Sequence, residues 1–376
     1  MVTGTALAAS LADDEVRAAR LRALLLGAER GAGRSVGQIV EWMGALQAQD
    51  VASSFWSIGV RTPGAVEADV QAALERREAV RTWPMRGTVH LVPARDAAWM
   101  VDLMKAKPLG GGAARRAYLG ITLELADRST GVLADALAGG RILTRDECVA
   151  VLHDAGIETA GQLSYHLLWY ACQLGVLCQG PPRGKDHTFV LLSEWVPDPA
   201  TPTREEALAI MAERYFRGHG PASVKDFARW TGLGVRECRE GIAGAGESLV
   251  QVERSAGPMV ASADVLEADG ADAGEVSTHL VLPGFDEFML GYGDRSLFLE
   301  PGHLAAVVPG NNGVFQSTLV RHGRVVGIWK RTLKPRVVAV AATPLVKLTA
   351  ADRKAFEREF AAYGAFLGRE AQVAWA

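Results

Sequence analysis

Ala79-Val80-Arg81-Thr82-Trp83-Pro84-Met85-Arg86-Gly87-Thr88-Val89-His90-Leu91-Val92 is the stretch whose reading decides the fold. Residues 79–83 and 88–92 are rich in β-branched and aromatic side chains, which favour extended backbone. Pro84-Met85-Arg86-Gly87 between them supplies turn residues, so the stretch reads as a hairpin. Working back from it, residues 65–77 read as a helix, residues 36–48 as a second helix capped by Ser35, and residues 13–30 as an Ala/Leu/Arg-rich helical segment. Three helices and then a hairpin is the order of a winged helix-turn-helix.

The pattern recurs downstream. Thr144 caps a helix over 145–154, an apolar helix covers 163–174, and Val176-Leu177-Cys178 pairs with Thr188-Phe189-Val190-Leu191 across a Gly/Pro-rich turn. A third round has helices over 204–216, 223–231 and 234–243, then strands at 249–252 and 259–260. Thr203 with Glu206, and Ser223 with Asp226, stand at the spacing of N-caps and their third-position partners. The repeat is too long and irregular for a solenoid. From residue 278 short strands alternate with Gly-rich turns, which suggests a small β-barrel or bent sheet, and residues 352–367 form a closing helix. The expected fold is α+β: three tandem winged helix-turn-helix units followed by a C-terminal β-barrel-like region and closing helix. The expected divisions are residues 1–125, 126–200, 201–277 and 278–376.

Composition narrows the class. With 376 residues, half of them apolar, the chain is long enough for more than one core. Four cysteines without a CxxC pair fit reduced, buried thiols in a cytoplasmic protein. Asp13, Asp14 and Glu15 stand where a signal peptide needs a basic start, and no run approaches a membrane span, so no membrane partner is expected. The net charge of −3 hides an uneven distribution. Residues 301–350 hold no acid but carry Arg321, Arg324, Lys330, Arg331, Lys334, Arg336 and Lys347. A second basic stretch covers 81–116, and residues 264–275 are acidic. An acid-free basic run of this length reads as a surface that meets phosphate.

Several chemistries lack their residues. The eight histidines are scattered, with no ligand-spaced pair beside a third donor, so no metal is expected. Gly110-Gly111-Gly112 has no following GK[ST] and reads as a hinge or linker; there is no Gly-x-Ser-x-Gly elbow. Asp286, Glu287, Asp294 and Arg295 make a charged turn that reads as a structural Asp–Arg pair. His90, on a strand, reads as a structural histidine before a catalytic one. Val320-Arg321-His322-Gly323-Arg324-Val325 is a basic hairpin, either a solvated surface turn or an element that enters a DNA groove. Leu46-Gln47-Ala48-Gln49-Asp50 closes an apolar segment with two amides at i, i+2. In a helix these point about 200° apart, whereas a helix end running into a turn or strand allows them to converge. On spacing alone they read as amides satisfying backbone groups at a helix terminus.

Five pieces in order change that reading: Leu46-Gln47-Ala48-Gln49-Asp50; Arg86-Gly87-Thr88-Val89-His90-Leu91-Val92; Gly218-His219-Gly220-Pro221-Ala222-Ser223 through Trp230-Thr231-Gly232-Leu233; Phe285-Asp286 through Gly291-Tyr292-Gly293-Asp294-Arg295-Ser296; and Gly313-Val314-Phe315 through Gly323-Arg324-Val325-Val326-Gly327-Ile328-Trp329. From about residue 15 onward the chain resembles the bacterial AlkZ/YcaQ-like family of tandem winged-helix DNA glycosylases. The resemblance implies a C-shaped molecule around double-stranded DNA and excision of N7-alkylated guanine. It makes Gln47 and Gln49 the catalytic pair. The two-glutamine form is similar to the AlkZ branch, associated with unhooking interstrand crosslinks such as those of azinomycin, a self-resistance activity; a Gln-x-Asp form marks the YcaQ branch.

The candidate DNA contacts are Arg86, His90, Asn312 and Gln316, with Arg321, His322, Arg324, Lys330 and Arg331 on or near the basic hairpin. Gln316-Ser317 stands where the family often has Arg-Pro, and His322 where it often has Asp. No cofactor and a monomeric state are expected. A non-catalytic winged-helix regulator, or a glycosylase limited to monoadducts, are the alternatives. The chemistry suits neutral amides: N7-alkylguanine already carries a positive charge, so the barrier lies in the oxocarbenium-like sugar and in delivering water.

Overall fold

The computed structural model describes residues 7–27, 30–267 and 279–376; most of the acidic run at 264–275, and the expected boundary at 277–278, lie outside them. The chain is a mixed α/β fold of two compact units. The first comprises Met1–Val70, Leu208–Trp230 and Gly234–Ala376; the second, Gln71–Ala207 with Thr231–Leu233.

In the first unit, helix Asp13–Ala23 begins on three acids and ends on Arg20 and Arg22, matching the helix dipole. Helix Val36–Met43 starts at Ser35, whose hydroxyl accepts from Gln38 N–H while the Gln38 side chain accepts from Ser35 N–H. It ends at Met43, short of residue 48, because Gly44 takes φ 73°, a conformation that glycine adopts at no steric cost. Leu46–Gln47 then forms a short strand. Helix Val51–Gly59 follows, with no counterpart in the sequence reading. Ser53 through Gly59 are all buried, so no polar face sets the period that reveals a helix.

The strands His279–Leu282, Ser317–Arg321, Arg324–Leu333, Val337–Pro344 and Glu370–Trp375 form one sheet in that order. The last pairing is parallel and the others antiparallel. Helix Ala350–Phe366 is the crossover that a parallel neighbour requires. Among the described residues the first and last strands pair with no further strand, and the barrel-like region is a curled half-barrel. Glu370–Trp375 extends the chain beyond the expected closing helix as an edge strand whose residues alternate between exposed and half-buried.

Trp56 packs on Tyr363 and Phe366, and Trp329 on Phe360 and Tyr363. Both indoles donate to the first sheet strand, at the carbonyls of Val281 and Leu282, so these buried donors are satisfied. Arg61 and Asp286 make a fully buried bidentate pair at 2.7 and 2.9 Å, and Ser57 Oγ donates to the same carboxylate at 2.6 Å. Burial alone would raise the Asp286 pKa, but the Arg61 charge and the bonds from Arg61, Ser57 and Phe288 N–H hold it below the usual range. Asp286 is therefore structural, with Arg61 rather than Arg295 as its partner. Arg295 instead donates to the Met289 carbonyl. Helix Val224–Thr231 carries the expected Ser223–Asp226 cap. Strands Leu249–Glu253 and Met259–Ser262 pair antiparallel, with Leu7–Ser10 joining in parallel.

In the second unit, Ala79–Met85 and Thr88–Pro93 form the expected hairpin, and Leu177–Gln179 and Thr188–Leu191 form another. Arg81 pairs with Gln179, so both hairpins belong to one sheet, which Leu143–Thr144 extends beside Thr188–Leu191. Gly110-Gly111-Gly112 is neither hinge nor linker: it lies inside helix Ala106–Tyr118. A Cβ at Gly112 would stand 2.8 Å from the Trp169 ring, so the glycine permits close packing there.

Candidate active site

Gly44 ends one helix, Asp50 begins the next, and the amides of interest lie in the short passage between. Gln47 is half-buried on the short strand, Ala48 is fully buried, and Gln49 is exposed in the following bend. Gln47 N–H donates to Glu287 Oε1 at 3.4 Å. Its side-chain Oε1 is buried and accepts no hydrogen bond. A buried carbonyl without a donor is costly in a folded chain. Asp50 accepts from Ser53 Oγ at 2.6 Å and lies 3.6 Å from Arg331. Arg331 also donates to the Tyr363 hydroxyl at 2.9 Å.

Behind Gln47 lies a buried polar cluster whose members the sequence placed in separate motifs, Glu287 in the charged turn and His219 and Trp230 in another piece. Glu287 is fully buried; Trp230 Nε1 donates to its Oε2 at 2.8 Å, and His219 Nε2 lies 3.2 Å from the same oxygen. Tyr215 stacks on the His219 ring at 4.8 Å and donates to the Gly291 carbonyl; Tyr292 donates to the His219 carbonyl. Burial pushes the phenol pKa of Tyr215 and of Tyr292 upward, so both remain neutral donors. The available signal was an acid, Glu287, set directly before the apolar run Phe288-Met289-Leu290.

The expected DNA contacts occupy different surroundings. His322 and Gly323 form the turn between Ser317–Arg321 and Arg324–Leu333, both with positive φ, as a two-residue hairpin of this hand requires. His322, Arg324 and Lys330 are exposed, with Arg324 3.4 Å from Glu300. Arg321 turns inward to Asp352 at 2.7 Å, and His279 holds the other oxygen of that carboxylate at 3.0 Å. Asn312 is exposed and caps its own turn by accepting from Val314 N–H; Gln316 is half-buried, its N–H bonded to the Val307 carbonyl. In the second unit, Arg86 donates to His90 Nε2 at 3.1 Å, and His90 Nδ1 bonds the Thr88 carbonyl at 2.9 Å. His90 is fully buried, so it orients Arg86 and offers no surface of its own. Among the described residues, no group of three His, Cys, Asp or Glu has the arrangement of a metal site, and no helix is long and apolar enough to cross a membrane. All four cysteines are buried and none is in a disulfide.

Residues 40–366 match the profile of the family described as DNA glycosylase AlkZ-like. The chain belongs to this family of DNA repair glycosylases, hydrolases of the bond between base and sugar. Among its relatives is an interstrand DNA cross-link repair glycosylase of Streptomyces sahachiroi, 29% identical over 355 residues, or 87% of this chain and 89% of the relative. The solved structure of the DNA glycosylase AlkZ of the same organism superposes with a TM-score of 0.81 at 25% identity, covering 97% of this chain and all of that one.

Proposed function

We propose that this protein is a monofunctional DNA glycosylase that hydrolyses the N-glycosidic bond of N7-alkylguanine and unhooks interstrand crosslinks of the azinomycin type. The observation that carries the reading is the buried, unpartnered Oε1 of Gln47 in the short passage between two helices. An amide oxygen aimed at the sugar stabilises positive charge as it develops on the ring, and a second amide at Gln49 positions the water that attacks C1′. Neither amide titrates, which suits a leaving base that already bears a positive charge and needs no general acid.

The helix–hairpin groups serve as winged-helix modules, and the exposed basic face of the 317–333 hairpin contacts phosphate. Flipping a base that is covalently tied to the opposite strand is far costlier than ordinary flipping, so the site is an open one and hairpins wedge or bend the duplex. No lysine neighbours Gln47 or Gln49 in sequence, so the reaction stops at the abasic site with no Schiff-base step. The relative's action on cross-links supports the substrate class. The test is a duplex carrying either an N7-alkylguanine monoadduct or a crosslink, incubated with the protein and heated in alkali. Breaks at guanine on both substrates are expected; breaks on the monoadduct alone would restrict the activity to monoadducts, and borohydride trapping of an adduct would refute the monofunctional reading.

A further inference from the structure

Asp286 and Glu287 are adjacent and both fully buried, yet they meet different partners. Asp286 faces the Arg61 guanidinium, whereas Glu287 meets an imidazole, an indole and a backbone amide. His219 Nδ1 lies 3.2 Å from the Tyr215 carbonyl, which only accepts, so Nδ1 carries a hydrogen. His219 Nε2 faces Glu287 Oε2 at 3.2 Å. Trp230 N–H donates to that same oxygen, and the other oxygen, Oε1, receives the backbone N–H of Gln47. The imidazole is fixed on two sides, by the stacked Tyr215 ring and by Gly291, where a Cβ would come within 2.5 Å of His219 Cδ2. A side chain seated this firmly holds its own contacts rigidly.

We propose that Glu287 is the positioning residue of Gln47. Its carboxylate holds the Gln47 backbone N–H and thereby sets the direction of the Gln47 side-chain carbonyl during bond cleavage. This rests on the reading of Gln47 as the group that faces the sugar cation. The chemistry demands a carboxylate: Trp230 and Gln47 donate to opposite oxygens of Glu287, and an amide can accept at only one of its two ends. In Glu287→Gln a donor faces a donor either at Trp230 or at Gln47.

The experiment compares single-turnover base release from an N7-methylguanine duplex, and the Kd for that duplex, among wild type, Glu287→Gln, Gln47→Ala, the double variant and Trp230→Phe. Glu287→Gln is expected to release base at least about tenfold more slowly with Kd nearly unchanged, the signature of an effect confined to the chemical step. The double variant is expected to be no slower than Gln47→Ala alone, because both changes remove one function. Trp230→Phe, which removes a donor to Glu287 without touching Gln47, is expected to lose less rate than Glu287→Gln. Should Glu287→Gln not fold, Glu287→Asp keeps the charge, shortens the reach and is expected to show the same loss of rate. A wild-type rate in the Glu287 variant that folds, losses that multiply in the double variant, or an equal loss in Trp230→Phe would overturn the proposal. If Gln47→Ala itself keeps the wild-type rate, the reading of Gln47 fails; if only the Glu287 variants do, the positioning role alone fails.

Discussion

The Arg86-Gly87 and His322-Gly323 turns have the same backbone, with consecutive φ values of 55° and 70° in one and 47° and 69° in the other. Each follows a strand and carries a basic or titratable side chain at its first position. The side chains differ in their surroundings. Arg86 is half-buried and donates to a fully buried histidine, whereas His322, Arg324 and Lys330 stand exposed around the second turn. Turn geometry follows from the two turn residues and is local; the fate of the charge follows from what packs beneath the hairpin. A basic residue on a hairpin is therefore evidence for DNA contact only where the layer below leaves its head group in water.

That contrast is open to attack at several points. Replacing Arg324 and Lys330 together by Glu should weaken binding to duplex DNA at least about tenfold. The slope of log Kd against log salt should flatten by about one unit for each phosphate the protein no longer neutralises; a salt titration of binding checks this. An unchanged slope would place the DNA elsewhere. Arg86→Ala should instead act on the fold, lowering unfolding stability by about 1–3 kcal/mol as His90 Nε2 is deprived of this donor. Denaturant unfolding measures the loss, and a Kd effect exceeding that of the Arg324/Lys330 change would reverse the contrast.

Arg321 shows that the second hairpin also has an inward charge. Burial alone would raise the pKa of its partner Asp352, but hydrogen bonds from Thr349 and His279 and the Arg321 charge lower it. A depressed carboxylate pKa stabilises the fold above the unfolded value of about 3.9, and the contribution fades as pH falls from there toward the folded value. The difference in thermal midpoint between wild type and Asp352→Asn should hence be level above about pH 5 and shrink in acid. The smallest effect is expected for His322→Asp, which places one acid on the exposed turn: a few-fold loss of DNA affinity at low salt, vanishing at high salt as screening grows.

The Thr88–Pro93 and Arg324–Leu333 hairpins were legible in the sequence because their signals are local: β-branched runs flanking turn residues. The same holds for the Ser35, Thr144 and Ser223 caps, whose partners stand three residues away. Helix Val51–Gly59 was hidden because burial on every side erases amphipathic period, and the glycines of Ala106–Tyr118 resembled a linker because their packing partner, Trp169, lies far along the chain. The site divided in the same way. Gln47 and Gln49 stood out through a short motif, whereas Glu287, His219 and Trp230 meet only through long-range folding. Asp286 was readable as structural, but its partner, Arg61, lies 225 residues away.

The central claim is that the neutral amides of the 46–50 passage perform the chemistry while the exposed basic hairpin supplies the affinity. The most direct measurement pairs single-turnover base release from an N7-methylguanine duplex with the Kd for that duplex, in wild type and Gln47→Ala/Gln49→Ala. The expected result is a fall in rate of about a hundredfold or more at nearly unchanged Kd. An unchanged rate, or a loss of rate fully explained by a loss of binding, would contradict it.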